Sequence, residues 1–383
     1  MRSTSRLGPL CGHRLDQFES HEEAAAAAPR PPPRPGRTVP ERDPSSESAP
    51  PPAERPRPMS STAVHANGAS TAEKPARAIK VQPLKFGTLA AYKEVCRARI
   101  AARHDAFKHK RPLGPLVGIS KDFAAQFGGY FEVGLTVFHA EPGSGKSALC
   151  AQILAEAQCP GLYVTFEMNR YQLVDRHLAR ECGEYIGKFR TGEMSPERWE
   201  ALFAEAHKRN PNLAKIHLLD ATRVRTSLDE IKDAAIAAKG NSPHLLIVID
   251  SAHAMVRGLR AGGKVSAYDA TENCITQVQQ LAADLEASVV LIAEQNRSER
   301  GGRGQSACAN ASVYEYGSNH VLALMRDQEI KPDRQGEVPI TARFAKNRDG
   351  QQGVEVGLRF RCKTMSFRGD PDFVSSCCDE DDE

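Results

Sequence analysis

Residues Ala140, Glu141, Pro142, Gly143, Ser144, Gly145, Lys146 and Ser147 form the stretch best equipped for chemistry. They match the phosphate-binding loop pattern G-x-x-x-x-G-K-[ST], with Ala140 in the place of the first glycine. Gly143 and Gly145 let backbone N–H groups curl around a phosphate. A helix starting near Lys146 would aim the positive end of its dipole at the same point. Lys146 supplies a charge to the terminal phosphates and Ser147 a hydroxyl to Mg²⁺, so the expected ligands are ATP and Mg²⁺. A second acidic element is the run His244-Leu-Leu-Ile-Val-Ile-Asp250. An apolar strand ending in Asp puts a carboxylate at the sheet edge where open α/β folds bind nucleotides, which makes Asp250 the second expected Mg²⁺ ligand. Residue 251 is Ser and cannot act as a carboxylate base. Glu167, just past the apolar run Leu162–Phe166, is the expected general base, orienting and deprotonating an attacking water.

These residues require strands that end at one edge and helices that follow them. The pattern predicts strands over Leu135–Ala140, Leu162–Phe166, Ile216–Leu219, Leu245–Asp250, Val289–Ala293, Val321–Met325, Ile340–Lys346 and Val354–Phe360. It predicts helices over 88–106, Lys146–Ala157, Tyr171–Cys182, Pro196–His207, Leu228–Ala238 and Thr271–Ala287. Alternation of this kind argues for an α/β fold with a largely parallel central sheet. Gly128 and Gly129 mark turns. The 88–106 helix spaces Leu89, Tyr92, Cys96 and Ile100 by three and four, as a surface helix or a linker helix docking on a neighbouring subunit would.

Composition bounds the class. An apolar fraction of 40% and a charged fraction of 26% fit a soluble globular chain. No apolar run approaches the roughly 18 residues of a membrane span. Ten cysteines form no CxxC pair, so they are expected to be reduced thiols in a cytoplasmic protein. Residues 1–80 hold 14 of the 25 prolines and few large apolar side chains, and are expected to be disordered. Asp16, Glu19, Glu22 and Glu23 argue against a transit peptide there; a start of translation at Met59 is a simpler alternative. Residues 1–80 carry 12 basic and 9 acidic groups, which leaves 39 of each sign in 81–383. Any nucleic-acid contact must then come from local basic loops and not from the global field.

Further segments resemble one family. Thr165-Phe-Glu-Met168 followed by Gln172-Leu-Val is similar to the motif of DnaB-type helicases that carries their catalytic glutamate. Phe189-Arg-Thr-Gly-Glu-Met-Ser-Pro-Glu-Arg-Trp199, Ala293-Glu-Gln-Asn-Arg-Ser298 and Ala345-Lys-Asn-Arg-Asp-Gly350 look like stretches of the same family, in the same order. The resemblance runs from about 112 to 370, roughly two thirds of the chain. It implies a RecA-like P-loop NTPase core and a ring, usually a hexamer, with ATP sites between subunits. It implies Glu167 as base, and Lys346 and Arg348 as cations reaching a neighbour's nucleotide. It also implies single-stranded DNA as partner, with replication or mobile-element proteins beside it. DNA would lie on two Gly-rich basic loops: Arg257–Lys264, through Arg260 and Lys264, and Arg297–Gly304, through Arg297, Arg300 and Arg303.

The sequence also departs from the family pattern. No segment resembles the family's amino-terminal scaffold domain. Glu294 stands where the family commonly has a γ-phosphate-sensing Gln, and a carboxylate there repels phosphate unless a cation shields it. Ala307–His320 keeps Glu315 of the next motif, with Ser312 and Asn319 in place of expected residues. Trp199, His139 and His253 are expected to be structural. The organisation expected is a disordered segment 1–80, a linker 81–111, an ATPase domain 112–370 and an acidic tail 371–383. The leading functional expectation is a ring-forming, ATP-hydrolysing translocase or helicase on single-stranded DNA. The alternatives are a RecA-fold switch or assembly ATPase of the RadA or KaiC kind, and a nucleotide-dependent binding module with little turnover.

Overall fold

The computed structural model describes residues 89–222, 226–260, 266–294, 314, 316–348 and 350–373. The expectations for residues 1–80, for Ser312 and Glu315, for Lys264, Arg297, Arg300 and Arg303, and for 374–383 lie outside them. All the described residues belong to one compact unit, 73–383.

The chain order is α1 (Lys93–Lys108), α2 (Lys121–Ala125), β1 (Gly134–Ala140), α3 (Lys146–Glu156), β2 (Gly161–Thr165), α4 (Arg170–Cys182), α5 (Lys188–Thr191) and α6 (Pro196–Arg209). It continues through β3 (Ile216–Asp220), α7 (Leu228–Lys239), β4 (Leu246–Asp250), α8 (Ala252–Arg260), α9 (Ala267–Leu285) and β5 (Ser288–Glu294). Strands β6 (His320–Met325), β7 (Glu337–Asn347), β8 (Glu355–Arg361) and β9 (Ser366–Gly369) complete it. Among the described residues these strands form one sheet in the order β3-β2-β4-β5-β1-β6-β7-β8-β9. Pairs from β3 through β6 are parallel, and β6 to β9 are joined antiparallel.

The near-continuous apolar strands are explained by burial on both faces. Phe138, Tyr163, Val248 and Ile292 face one core with α3 and Phe123 of α2. Val137, Val164, Ile249 and Leu291 face a second core with α7, α8 and α9. Local signals end the helices where expected. Asn169 with Gln172 and Ser227 with Glu230 form capping boxes at α4 and α7, and Gly183 closes α4 in the left-handed region.

Several expectations are corrected. Residues 252–260 are helical, so Arg257 lies in α8 and Arg260 at its end, not in a basic loop. Gly258 reads as a loop signal, but Ala252, Met255 and Val256 recur at helical spacing and pack on the second core, which decides the outcome. Strand β2 stops at Thr165, leaving Glu167 in the bend beyond it. Helix α9 begins at Ala267 behind the Ser266 cap and stops at Leu285. Helix α2 and strand β9 were not expected; both are short and gain their stability by packing on each other and on Phe344 and Phe360.

Candidate active site

The phosphate loop, Glu167, Asp250 and Glu294 arrive together at the carboxyl edge of the parallel strands. β1 runs into the phosphate loop. In register, Ala140 stands opposite Glu294 of β5, and Thr165 of β2 opposite Asp250 of β4. The loop closes on itself. Ser144 Oγ donates to the Glu141 carbonyl at 2.8 Å, and Lys146 Nζ donates to the carbonyls of Ala140 and Glu141 at 2.8 and 3.3 Å. Gly143 and Gly145 have φ of 84° and 87°, which a side chain would strain. A Cβ on Gly145 would also come within 2.8 Å of Phe367 Cζ.

A cavity of about 300 Å³ opens over this loop, lined among others by Lys146, Ser147, Glu167, Asp250 and Glu294. Asp250 is 1% exposed, and Tyr163 Oη donates to its Oδ2 at 2.8 Å. Burial pushes the Asp250 carboxyl above its ordinary value, hydrogen bonds from Ser147 and Tyr163 draw it back, and the charge of Glu167 raises it again. Burial also holds Lys146 below its usual value, against the carboxylates of Glu294, Asp250 and Glu167, of which Glu294 acts most. Glu167 is exposed to the cavity, and the hydroxyl of buried Ser251 donates to its Oε1 at 2.7 Å.

The residues fit ATP and Mg²⁺. Successive N–H groups and two left-handed glycines form an anion cradle at the start of α3. Ser147 and Asp250 offer the hydroxyl and carboxylate oxygens that Mg²⁺ prefers. Among the described residues no group of three or more His, Cys, Asp or Glu could hold a metal ion. Mg²⁺ held by one hydroxyl and one carboxylate takes its other ligands from phosphates and water.

Several neighbours escaped the sequence reading. Ser251, which cannot itself act as a carboxylate base, anchors Glu167. Arg176 of α4 lines the cavity and is pulled below its ordinary value by burial, despite the nearby carboxylate of Asp250. Phe360 and Met365 form an apolar wall from the far end of the chain. Arg326, following β6, donates to the Gly143 carbonyl at 3.2 Å. Only the helical position of Arg176, nine residues past Glu167 on the next helix, offered a local signal. His139, expected to be structural, is 5% exposed; burial and then Lys146 push it down to about 4, so it is neutral at pH 7. Trp199 packs beside Phe203, with ring centroids 5.3 Å apart, on a small core between α4 and α6.

Lys346 and Arg348 are not brought to this cavity. Strand β7 runs against β6, so Asn347 pairs with His320, which itself pairs with Thr136 near the start of β1. The backbone N–H and Nη1 of Arg348 donate to the backbone and side-chain oxygens of Asn319 at 3.0 and 3.2 Å. These two cations therefore stand at the amino edge of the sheet, while the phosphate loop leaves from its carboxyl edge.

Residues 118–369 match the family described as DnaB-like helicase C terminal domain. The chain belongs to that family. It is 26% identical over 259 residues to the replicative DNA helicase DnaB of Geobacillus stearothermophilus, a match covering 64% of this chain and 55% of the relative. The chain thus spans about half the length of that helicase. In structure it is similar to the ATPase domain of G40P, with a TM-score of 0.61 at 16% identity, covering 75% of this chain and all of that one. It is also similar to a DnaB-like replicative helicase solved with regard to its interactions with primase, with a TM-score of 0.58 at 15% identity, covering 74% and 67% of the two chains. The fold is RecA-like, and membership of the family implies a P-loop NTPase that binds nucleotide. Among the described residues no helix is long and apolar enough to cross a membrane.

Proposed function

We propose that this protein is a ring-forming, ATP-hydrolysing translocase that acts on single-stranded DNA. The observation that carries the reading is the split of the machinery between the two edges of one sheet. Lys146, Ser147, Glu167 and Asp250 converge at the carboxyl edge, whereas Lys346 and Arg348 lie at the amino edge. A cation placed there serves the cavity of an adjacent copy, and head-to-tail repetition of such a contact closes into a ring. A hexamer is the expected size.

In this reading the loop N–H groups and Lys146 hold the phosphates, and Ser147 and Asp250 hold Mg²⁺. When bound, Mg²⁺ neutralises charge on the β- and γ-phosphates. Glu167, steadied by Ser251, orients water and accepts its proton. Arg348 and Lys346 of the adjacent copy stabilise charge on the phosphoryl oxygens, an effect of about 10³–10⁵ in rate for an arginine finger. The region 81–111 acts as a linker: α1 exposes Ile100 and Phe107, seven residues apart on one stripe, for a neighbour to cover. DNA is tracked by Arg260 at the end of α8 and by Lys264, Arg297, Arg300 and Arg303 in the stretches of sequence that follow α8 and β5. Replication or mobile-element proteins are the expected partners.

Steady-state ATP hydrolysis with and without single-stranded DNA tests the reading, with Lys146→Ala as blank. DNA should stimulate turnover in the parent and not in the variant. Hydrolysis indifferent to DNA would sink the translocase in favour of a protein-directed switch, and absence of turnover would favour a binding module governed by Glu294.

A further inference from the structure

We propose that Tyr163 is a positioning residue that presets the Asp250 carboxylate for Mg²⁺. The inference rests on the nucleotide reading above and concerns a residue that lies outside the phosphate loop and does not line the cavity.

The geometry follows from the sheet. Strands β2 and β4 are parallel neighbours, with Tyr163 opposite Val248 and Thr165 opposite Asp250. Tyr163 and Asp250 are therefore diagonal neighbours, offset by two residues or about 6.6 Å of strand, a gap that long aromatic side chains reach across. Tyr163 is fully buried, its ring in the core beside Leu246 and Val248, and its hydroxyl ends on Asp250 Oδ2 at 2.8 Å. Tyr163 lies wholly out of water, so its hydroxyl keeps Asp250 as partner.

A phenol is an unusual choice among these apolar neighbours. Phenylalanine would fill nearly the same volume without a hydroxyl to desolvate, and a buried hydroxyl is costly unless bonded. Here the carboxylate is the partner that makes it tolerable. The bond occupies one of about four acceptor sites on the carboxylate. It fixes the plane of the group and leaves acceptor capacity for the cation or its water. Groups that hydrogen-bond a metal ligand in this way fix its orientation, and their loss typically lowers metal affinity about 10–100-fold. Tyr163 thus acts through Asp250, with the Ser147 hydroxyl also within hydrogen-bonding reach of its oxygen, and touches neither phosphate nor metal.

The test is nucleotide binding, read from a fluorescent ATP analogue in EDTA and in saturating Mg²⁺. In the parent chain Mg²⁺ should strengthen binding; a parent that binds no nucleotide, or binds it without regard to Mg²⁺, overturns the nucleotide reading itself, before any variant is made. Tyr163→Phe should keep the parent's affinity in EDTA within about twofold, while the Mg²⁺-dependent gain falls by about tenfold. The Mg²⁺ concentration for half-saturation of the nucleotide-loaded chain should rise by the same factor. Asp250→Asn should remove most of that gain, and adding Tyr163→Phe to it should cost nothing further. A Tyr163→Phe chain with the parent's full Mg²⁺ gain overturns the inference. So does one that loses affinity equally in EDTA, or that fails to fold by circular dichroism, because the hydroxyl would then be a general stabiliser of the core.

Discussion

Glu294 adds a negative charge where the γ-phosphate is expected. It ends β5 opposite Ala140, lines the cavity, and is the carboxylate that acts most strongly on Lys146. A negative charge here competes with phosphate for the same ammonium group. Glu294→Gln removes the competition and keeps the shape. ATP should bind at least about threefold more tightly, a modest gain because Glu294 is exposed and water screens it. Titration with a fluorescent ATP analogue measures this, and an unchanged or weaker affinity would show that the carboxylate points away from the phosphates. Glu167 and Ser251 illustrate a second lesson at this scale. A serine in place of a carboxylate after Asp250 looks like a loss in one dimension, yet its hydroxyl fastens the glutamate delivered by the adjacent strand.

The antiparallel strands β7, β8 and β9 form an element that the P-loop depends on without belonging to it. Phe360 and Phe367 stack with centroids 4.5 Å apart and pack against Gly145, so this end of the sheet supports the phosphate loop from behind. The strands are clamped by Glu337, 2% exposed, which accepts hydrogen bonds from Arg361 and Arg368 at 2.7 Å each. Those bonds, Arg368 first, hold the Glu337 carboxyl below its usual range. A depressed folded value means that the stability is present above the unfolded value of about 4.3 and is lost as pH falls through the lower, folded one. Glu337→Gln should therefore cost about 1.5–3 kcal/mol at pH 7, the worth of hydrogen bonds to a charged group. Urea denaturation at several pH values should show parent and variant converging below about pH 4. A gap that persists unchanged into acid would mean that packing, not charge, holds the strands.

If Arg348 serves the cavity of an adjacent copy, Arg348→Ala and Lys146→Ala chains should each lose nearly all hydrolysis as pure populations. Mixed and reassembled, they should regain a measurable fraction, because some interfaces would pair an intact cavity with an intact arginine. Recovery in the mixture requires a shared site; no recovery from rings shown to contain both chains would place Arg348 outside the reaction.

Much of this protein was legible in one dimension. The phosphate loop, the strand ending in Asp250 and the order of helices and strands follow from local chemistry. Only glycine tolerates the loop's backbone, and a strand buried on both faces must be apolar throughout. Motif order was enough to expect the family. The tertiary structure decided what depends on sheet order and register. It set Tyr163 beneath Asp250, Ser251 beside Glu167, and Phe360 and Met365 against a loop more than 200 residues earlier in the chain. It also turned Ala252–Arg260 into helix against a glycine's local signal, because the apolar stripe had a core to fill. Spacing along a chain encodes which face a residue takes within its own element. Which other element lies against that face depends on strand order, and strand order is settled by packing of the whole sheet.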